Sequence, residues 1–324
     1  MKYLVTGSAG HLGEALMRTL RAQGADAVGL DILESAYTTH VGSIADRSTV
    51  KRAMAGATAV LHAATLHKPH VGTHRRQDFI DVNLTGTLNL LEEAAATGLA
   101  AFVFTSTTSV FGDALTPNDG QPAAWITEEV RPVPKNIYGA TKAAAEDLCQ
   151  LFHRNQNLNC IVLRTSRFFP EEDDSKSVRD AYRDANAKAN EYLYRRVDIE
   201  DVVGAHLIAA TRAQSIGFGK YIISATTPFL EGDVADLRGI LVRVGQVVQQ
   251  VAHRVQARAL LAVRLDHRPR RIGGVGVEEH RLLGLGVLVP LVQRRGVHRR
   301  QLPVLQRVRL ALLEASQLLL PAYR

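Results

Sequence analysis

The chain has 324 residues, of which 46% are hydrophobic and 22% charged. This composition is typical of a globular protein with a full core and excludes a largely disordered chain. Two cysteines, Cys149 and Cys160, are too few for a disulfide framework and suit a reducing compartment. Gly and Thr interrupt the first ten residues too early for a signal peptide, and the longest apolar stretch, residues 282–292, is shorter than the ~20 residues that span a bilayer. We therefore expect a cytoplasmic protein without a membrane partner.

The formal net charge of +7 is distributed unevenly along the chain. Residues 1–237 contain 23 Lys+Arg against 28 Asp+Glu, a net of −5, whereas residues 238–324 contain 16 Arg against 4 acidic residues, a net of +12. The second segment also has no Lys, Thr, Asn, Phe, Trp, Met or Cys. Because the composition changes so abruptly, we place a domain boundary after residue 237.

Three interpretations of residues 238–324 are open. A basic arm for nucleic acid is the least supported, since Lys, aromatic and polar side chains usually accompany Arg at such sites, and no nucleic-acid partner is predicted. A helical lobe is indicated by Val244, Val248 and Val251, which fall at helical spacing. A GC-rich gene read out of frame after about Arg238 would give a poorly ordered segment enriched in Arg, Val, Leu, Gly and Ala. We favour this last hypothesis.

The first 237 residues alternate between apolar strands and amphipathic helices. Strands are predicted over residues 2–6, 27–31, 40–44, 58–64, 101–107, 159–165 and 220–225. Helices are predicted over residues 11–23, 46–55, 78–97, 136–155 and 199–212. Alternation of this kind predicts an α/β fold with a doubly wound parallel sheet and right-handed crossovers, followed by a small, atypical C-terminal region.

A glycine-rich turn, TGSAGHLG at residues 6–13, lies between the first strand and the first helix. Small residues at this place let backbone amides approach a pyrophosphate, and the start of the helix adds a positive dipole. Many glycine-rich turns are only tight turns, so the position after a strand and before an amphipathic helix is what gives this one weight.

Asp31 ends the second predicted strand, eighteen positions beyond Gly13. A carboxylate at this place accepts hydrogen bonds from both ribose hydroxyls and repels a 2′-phosphate, which favours NAD over NADP. An ordinary turn aspartate is the alternative. The glycine-rich turn makes the functional interpretation the stronger of the two.

A second motif, Tyr138-Gly139-Ala140-Thr141-Lys142, places a tyrosine and a lysine on one face of a predicted helix. An ammonium beside a phenol is expected to lower the pKa of the phenol from about 10, so that it can exchange a proton with a substrate hydroxyl. Such a pair also arises by chance. Residues 106–112, STTSVFG, follow the fifth strand at the sheet edge where ligands bind in open α/β sheets.

Taken in order, these motifs resemble the extended short-chain dehydrogenase/reductase superfamily, in its NAD-dependent epimerase/dehydratase family. The matching blocks are TGSAGHLG (6–13), Asp31, LHAAT (61–65), DVNLTGTLNLLEEA (81–94), FVFTSTTSVFGD (102–113), YGATK (138–142) and RRVDIEDVVGAH (195–206). Seven blocks in the family's order, over about residues 1–230, are far more specific than any one of them. The resemblance implies a Rossmann-type NAD-binding domain over residues 1–237, which also carries part of the substrate site.

The resemblance also implies roles for individual residues. Tyr138 would be the catalytic acid/base, Lys142 would bind the nicotinamide ribose and lower the pKa of the tyrosine, and Thr107 would bind the reacting oxygen, with Thr108 beside it toward substrate. Asn83 has an equally good alternative role in tying a strand to a helix. The implied cofactor contacts are Gly7, Gly10, His11, Leu12, Gly13, Asp31, Ile32, Ser43, Ile44, His62, Ala63, Ala64, Asn83, Tyr138 and Lys142.

Two departures from the family pattern bear on ligand recognition. Ser43 stands where the family often has an aspartate, and a hydroxyl would bind adenine less strongly than a carboxylate. Arg167 stands where nucleotide-sugar epimerases contact substrate, and an arginine there would clamp a carboxylate or a phosphate. An ion pair between Arg167 and the acidic run at 171–174 is an equally good interpretation.

The function implied by resemblance is NAD-dependent movement of a hydride at a hydroxyl-bearing carbon of a sugar or nucleotide sugar. A uronate-like sugar dehydrogenase is the alternative that Arg167 suggests, and a catalytically impaired NAD-binding protein is the alternative that residues 238–324 suggest. Family members often dimerise through helices corresponding to 78–97 and 136–155, so a homodimer is expected. No metal is expected, because His67, His70 and His74 lie in a predicted loop without paired carboxylates or cysteines. Cys149 is expected to be a packed core thiol.

Overall fold

The computed structural model describes residues 1–118, 121–169, 196–227 and 229–235. Backbone contacts divide these residues into two units, and the first unit ends at Thr226. Of the second unit, the described residues are Thr227 and 229–235, which include a 3-10 turn at Glu231–Asp233. Everything predicted for residues 238–324 lies outside the described residues.

In the described residues of the first unit there are nine strands. They are β1 (Lys2–Thr6), β2 (Asp26–Asp31), β3 (His40–Val41), β4 (Ala59–His62), β5 (Ala101–Thr107), β6 (Cys160–Thr165), β7 (Arg167–Phe169), β8 (Arg196–Asp198) and β9 (Phe218–Ile223). Seven of them form one sheet in the order β3-β2-β1-β4-β5-β6-β9, with every neighbouring pair parallel. The predicted doubly wound parallel sheet of a Rossmann-type fold is therefore confirmed.

The helices in the described part of this unit alternate with the strands. They are α1 (His11–Ala22), α2 (Arg47–Met54), α3 (Arg76–Phe79), a π-helical segment (Ile80–Thr85), α4 (Gly86–Ala96), α5 (Ile137–Gln156) and α6 (Ile199–Ile216). In the described part of the chain, no helix is both long and apolar enough to cross a membrane.

Two hydrophobic cores cover the two faces of the sheet, because successive side chains of a strand point to opposite faces. In β1, Tyr3 and Val5 pack into the core that includes α1 and α6, whereas Leu4 packs into the core that includes α2, α4 and α5. Cys149 and Cys160 are free, buried thiols of the second core, as expected for Cys149.

The order of the strands in the sheet determines where the ligand-binding crevice lies. The order of the strands reverses between β1 and β4, since β2 and β3 lie on one side of β1 and the later strands lie on the other. Thr6 at the end of β1 is in register with Leu30 of β2 and with His62 of β4. The turn after β1 therefore lies between Asp31 and the end of β4, in the crevice where ligands bind in folds of this class.

Two predicted elements differ in detail from the structure, and one observed pair of strands was not predicted. The third strand ends at Val41 rather than at residue 44, because the chain turns there and Asp46 N–H donates to the Ser43 carbonyl oxygen at 3.1 Å. The helix predicted over 78–97 is interrupted by the π-helical segment. The short parallel pair of β7 and β8 was not predicted, since three-residue strands carry too little periodicity to be seen.

Candidate active site

The turn after β1 accepts only glycine at two positions. Gly7 has φ +75°, and a Cβ there would lie 2.7 Å from the backbone nitrogen of Ala64, while a Cβ on Gly13 would overlap the carbonyl oxygen of Gly7. Gly10 is the N-cap of α1, and the first N–H groups of the helix, from His11 onward, have no partner within the helix. A narrow cradle lined by amides at the positive end of a helix fits a pyrophosphate.

Asp31 is bound to this turn. Its Oδ2 accepts a hydrogen bond from Ala9 N–H at 3.0 Å, and its Oδ1 accepts one from Leu33 N–H at 3.0 Å. The carboxylate therefore has a fixed orientation beside the glycine-rich turn, which a free turn aspartate would not have. Ile32, next in the chain, is 66% exposed and open to a ligand.

His62, at the end of β4, is buried in a directional chain of hydrogen bonds. Thr87 Oγ1 donates to the Asn83 carbonyl oxygen at 2.7 Å, so it accepts from His62 Nε2–H at 2.9 Å. Thr6 Oγ1 accepts from Ala64 N–H at 3.2 Å and donates to His62 Nδ1 at 2.7 Å. Burial and the Lys142 charge lower the pKa of His62 well below its ordinary value, so His62 is a neutral imidazole that fixes the strand end.

Asn83 lies in the π-helical segment and uses all four of its amide hydrogen-bonding positions. Its Oδ1 accepts from Leu66 N–H at 2.8 Å and from Thr65 Oγ1 at 3.0 Å. Its Nδ2 donates to the Leu66 carbonyl oxygen at 2.9 Å and to Thr141 Oγ1 at 3.1 Å. Since an amide has two donors and two acceptor positions, these contacts support the tie between strand end and helix rather than direct cofactor binding.

Ser43 and Ile44 were predicted to contact the cofactor. Ser43 is half-buried, and its Oγ accepts from Ala45 N–H at 3.1 Å. Ile44 is only 4% exposed and packs so closely on α4 that a Cβ on Gly86 would lie 2.6 Å from it. Asn89 Nδ2 donates to the carbonyl oxygen of Ile44 at 3.0 Å. Ile44 is therefore a core residue, and its cofactor contact stays a prediction.

Thr107 and Tyr138 meet at the C-terminal end of β5. Thr107 ends the strand and accepts from Ser109 N–H at 3.1 Å, and Thr108 begins a 3-10 turn directly after it. Burial raises the pKa of Tyr138 to about 12, while a hydrogen bond with Thr107 acts in the opposite direction. The lowered pKa expected from the Tyr138–Lys142 spacing is therefore wrong for this structure, because burial outweighs the neighbouring groups.

Lys142 is buried one turn further along α5. Its Nζ lies 4.2 Å from the centroid of the Phe104 ring. Burial lowers the pKa of Lys142 to about 7, although the charge of Glu146 acts in the opposite direction. A lysine of this kind is divided between ammonium and free amine near neutral pH, so small changes in its surroundings change its charge.

The remaining predicted residues lie on other elements of the first unit. Ala63 and Ala64 follow β4, and the backbone of Ala64 faces Gly7. Arg167 is half-buried in β7, in register with Arg196. The acidic run at 171–174 lies outside the described residues, so both interpretations of Arg167 stay predictions.

The rings of three histidines lie in contact. The centroid of the His70 ring is 4.3 Å from that of His67 and 4.9 Å from that of His74. Among the residues that the structure describes, no group of three potential ligands is arranged to hold a metal ion.

One buried ion pair beside the site was not predicted from the sequence. Glu146, one turn beyond Lys142, forms a fully buried ion pair with Arg164 of β6. The signal was present, since a carboxylate on the buried face of α5 four residues after Lys142 needs a charged partner. The partner was not identifiable, because it comes from a strand eighteen residues away.

Comparisons with known proteins identify relatives of this chain. UDP-glucose 4-epimerase of Rhizobium meliloti (strain 1021) is 32% identical over 170 residues, which make up 50% of this chain and 50% of that protein. The solved structure of UDP-glucose 4-epimerase of Thermus thermophilus in complex with NAD has a TM-score of 0.56 at 23% identity, over 76% of this chain and 84% of that one. A mutated uronate dehydrogenase has a TM-score of 0.56 at 22% identity, over 70% and 74%.

The two structural likenesses establish the fold alone, and the chain spans about half the length of the curated relatives it matches. The sequence profile of the NAD dependent epimerase/dehydratase family matches residues 3–223. Because this match covers well over half of the chain, the protein belongs to the NAD dependent epimerase/dehydratase family, a family of enzymes whose cofactor is the NAD that the motifs predicted.

Proposed function

We propose that the protein moves a hydride, with NAD, at a hydroxyl-bearing carbon of a sugar or nucleotide sugar, with Tyr138 as the acid/base. The observation that carries the proposal is the meeting of Thr107 and Tyr138 at the C-terminal end of β5, with the buried Lys142 one helical turn away. This group lies beside the crevice between β1 and β4, so a dinucleotide held by the glycine-rich turn would extend toward it.

When bound in the proposed site, NAD would accept the hydride in its oxidised form and donate it in its reduced form. The protein holds and moves the proton. Tyr138, with a pKa of about 12, is a neutral phenol at neutral pH and therefore donates a hydrogen bond to a substrate oxygen. Only the phenolate form of Tyr138 can accept the substrate proton, so this step needs a nearby positive charge that stabilises the phenolate, and Lys142, one helical turn away, would supply it.

The other residues of the site would orient the two ligands. The N–H groups at the start of α1 would bind the pyrophosphate, and the Asp31 carboxylate would bind the adenosine ribose. Asn83 and His62 would act through the backbone, since their side chains are engaged with Leu66 and with Thr6. Thr107 and Thr108 would contact the sugar.

The substrate class is supported by the relatives named UDP-glucose 4-epimerase, with which the chain shares 29 to 32% identity. The experiment is to incubate the full chain with NAD and UDP-galactose or UDP-glucose, and to analyse the products together with NADH absorbance. Interconversion of the two sugars without NADH release supports an epimerase. Absence of turnover with these and other nucleotide sugars, in a protein that binds NAD, would favour the impaired NAD-binding protein.

A second candidate is a dehydrogenase of a sugar acid. Arg167 favours it, because a guanidinium on β7 close to the site would clamp a carboxylate in two places. Phe168, next to it, lies 5.3 Å from the His11 ring at the start of α1, which brings β7 beside the glycine-rich turn. Stoichiometric NADH release with a uronate, lost in Arg167→Met, would support this candidate over an epimerase.

We also propose that the chain works in the cytoplasm as a homodimer. Free thiols at Cys149 and Cys160 suit a reducing compartment. The proposed interface involves α5, where Leu151 is 38% exposed, together with the helical stretch from α3 to α4. Light scattering on the full chain, compared with Leu151→Glu, tests the dimer, since a charge at the interface would shift the mass toward the monomer.

A further inference from the structure

Glu146 and Arg164 form an ion pair that is almost completely withdrawn from solvent. The side chains are 1% and 2% exposed, and Arg164 Nη2 lies 2.7 Å from Glu146 Oε2. Arg164 Nε also donates to Glu146 Oε1 at 3.1 Å, so the guanidinium grips both carboxylate oxygens. A pair of this kind orients its members strongly, because breaking it leaves an uncompensated buried charge.

The Glu146 carboxylate has further partners that use its remaining positions. Ser106 Oγ donates to Oε1 at 2.5 Å, and Ser106 is the neighbour of Thr107 in β5. Lys220 Nζ of β9 lies 3.5 Å from Oε2 and is 22% exposed. A carboxylate has about four acceptor positions, so these contacts commit most of them.

The Arg164 guanidinium is itself fixed on its other sides. Its Nη1 donates to the carbonyl oxygen of Glu128 at 3.1 Å, and its Cζ lies 5.0 Å from the centroid of the Phe111 ring. Glu128 is in turn held by Ile222, whose N–H donates to Glu128 Oε1 at 2.9 Å. The planar fork of Arg164 therefore cannot turn away from Glu146 without breaking these contacts.

Lys142 is a nearby buried residue that is not part of the ion pair between Glu146 and Arg164. It precedes Glu146 by four residues on α5, the spacing at which a lysine and a glutamate ordinarily pair. In the described part of the chain, the ion-pair partners of Glu146 are instead Arg164 and Lys220. Beside Glu146, the titratable groups coupled to Lys142 include Cys149 on α5 and His62 on β4.

We propose that Arg164 is a positioning residue that holds Glu146 away from Lys142 and so leaves the lysine charge to act on Tyr138. The action on Tyr138 rests on the proposed function, whereas the competition between Arg164 and Lys142 for Glu146 does not. Without Arg164, the cation left beside the Glu146 carboxylate would be the partly exposed Lys220, and the buried Lys142 ammonium one turn away would become the stronger partner, because neither it nor the carboxylate is solvated. Lys142 would then be fixed as an ammonium bound to Glu146.

The experiment measures the titration of Lys142 directly, by NMR of the full chain labelled with [13C]lysine. Lys142→Met identifies the resonance. Its titration midpoint, expected near pH 7 from the lowered pKa of Lys142, is expected to rise by at least one pH unit in Arg164→Met. In Glu146→Gln/Arg164→Met the midpoint is expected to fall back to its original value or below, since no carboxylate remains to pair with the lysine. Arg18→Met, which breaks an exposed pair with Glu14 on α1, is the matched control and is expected to leave the midpoint unchanged.

An unchanged midpoint in Arg164→Met would overturn the proposal, and so would a raised midpoint that persists in the double variant. If Arg164→Met does not fold, Arg164→Lys serves instead, because lysine keeps the positive charge but loses the fork. A smaller rise is then expected, and no rise overturns the proposal. The titration is measured without NAD or substrate, so its result is independent of catalysis. If Arg164→Met raises the Lys142 midpoint but the unaltered protein has no turnover, only the proposed function is contradicted. If the protein has turnover but the midpoint does not move, only this inference is contradicted.

Discussion

The backbone N–H of Ala9 donates a hydrogen bond to the Asp31 carboxylate at 3.0 Å, which joins the middle of the glycine-rich turn to the end of β2. The same carboxylate accepts from Leu33 N–H. Asp31 therefore has a structural task in holding the turn in addition to the proposed contact with ribose. Substitution of Asp31 is expected to damage both.

We expect Asp31→Ala to weaken NAD binding about 10- to 100-fold, because a hydrogen bond to a charged group contributes roughly 1.5–3 kcal/mol. The preference for NAD over NADP should also narrow, since the carboxylate no longer repels a 2′-phosphate. Calorimetric titration with both dinucleotides measures the two effects. Asp26→Ala, at the exposed start of the same strand, is the control. An unchanged ratio of the two affinities would refute the ribose contact.

Tyr138→Phe is expected to lower turnover by about 10²- to 10⁴-fold, the usual contribution of a general acid or base. NAD affinity should stay within a few-fold, because the ring remains in its buried position and only the hydroxyl is lost. Product analysis under single-turnover conditions, with NAD binding measured in parallel, checks both statements. Tyr221→Phe, on a side chain that is 40% exposed in β9, should match the unaltered protein. Equal turnover in Tyr138→Phe would remove the mechanism.

Alanine substitutions at Gly7 and Gly24 separate two contributions to the free energy of unfolding, the cost of a left-handed backbone conformation and the cost of a steric clash. Their φ angles are +75° and +69°, but a Cβ on Gly7 would meet the Ala64 backbone whereas one on Gly24 has open space. We expect Gly24→Ala to cost about 1–2 kcal/mol through its left-handed conformation alone. Gly7→Ala should cost roughly 1–3 kcal/mol more through overpacking.

Urea denaturation of the two glycine variants gives these free energies of unfolding. Stabilisation by added NAD should survive in Gly24→Ala and largely disappear in Gly7→Ala, since only Gly7 borders the proposed pyrophosphate cradle. Equal losses of stability in the two variants would show that the space around Gly7 is not as tight as its contacts indicate.

His206 predicts a pH dependence of stability. Its Nδ1–H donates to the Val202 carbonyl oxygen at 2.7 Å and its Nε2 accepts from Thr105 Oγ1 at 2.8 Å, while burial lowers the pKa of His206 to about 4. Between about pH 4 and pH 6.5 the unfolded chain binds a proton at this residue that the folded chain does not. The contribution of His206 to stability is therefore fully present above pH 6.5 and falls by roughly 3 kcal/mol as the pH drops through this window.

Free energies of unfolding measured between pH 4 and pH 7 test this expectation. In His206→Asn the slope should fall by up to about 1.4 kcal/mol per pH unit, while the contribution of His62, lowered in the same direction, is common to both proteins. Thr211→Val, at an exposed position of the same helix, should leave the slope unchanged, because His206 and both of its hydrogen bonds remain. An identical slope in His206→Asn would contradict the assignment.

The sequence motifs predicted the main sheet and the glycine-rich turn, because both follow from local patterns. A strand, a turn of small residues and an amphipathic helix can form only a few arrangements, and an acid at the end of the next strand falls beside the turn. The pairing of Glu146 with Arg164 was not predictable in this way, since it joins a helix to a strand through tertiary packing.

The direction of the Tyr138 pKa was missed for a related reason. Spacing on a helix identifies which groups are neighbours, but it does not say how deeply they are buried. Burial is here the largest influence on both Tyr138 and Lys142. Burial was likewise not foreseen for Ile44, which packs beneath α4, while its predicted cofactor contact stays a prediction.

The π-helical segment at Ile80–Thr85 determines how the residues of α4 are rotated about the helix axis relative to the residues before them. An α-helix turns by about 100° per residue, so a wider turn that holds one extra residue shifts everything beyond it by that angle. With the extra residue, Asn83 reaches the loop after β4 while Leu90, Leu91 and Ala94 of α4 still face the core. Removing one residue from this segment would leave the helix intact, but it would turn either Asn83 away from the loop after β4 or the apolar side chains of α4 away from the core. The number of residues in this segment is therefore constrained.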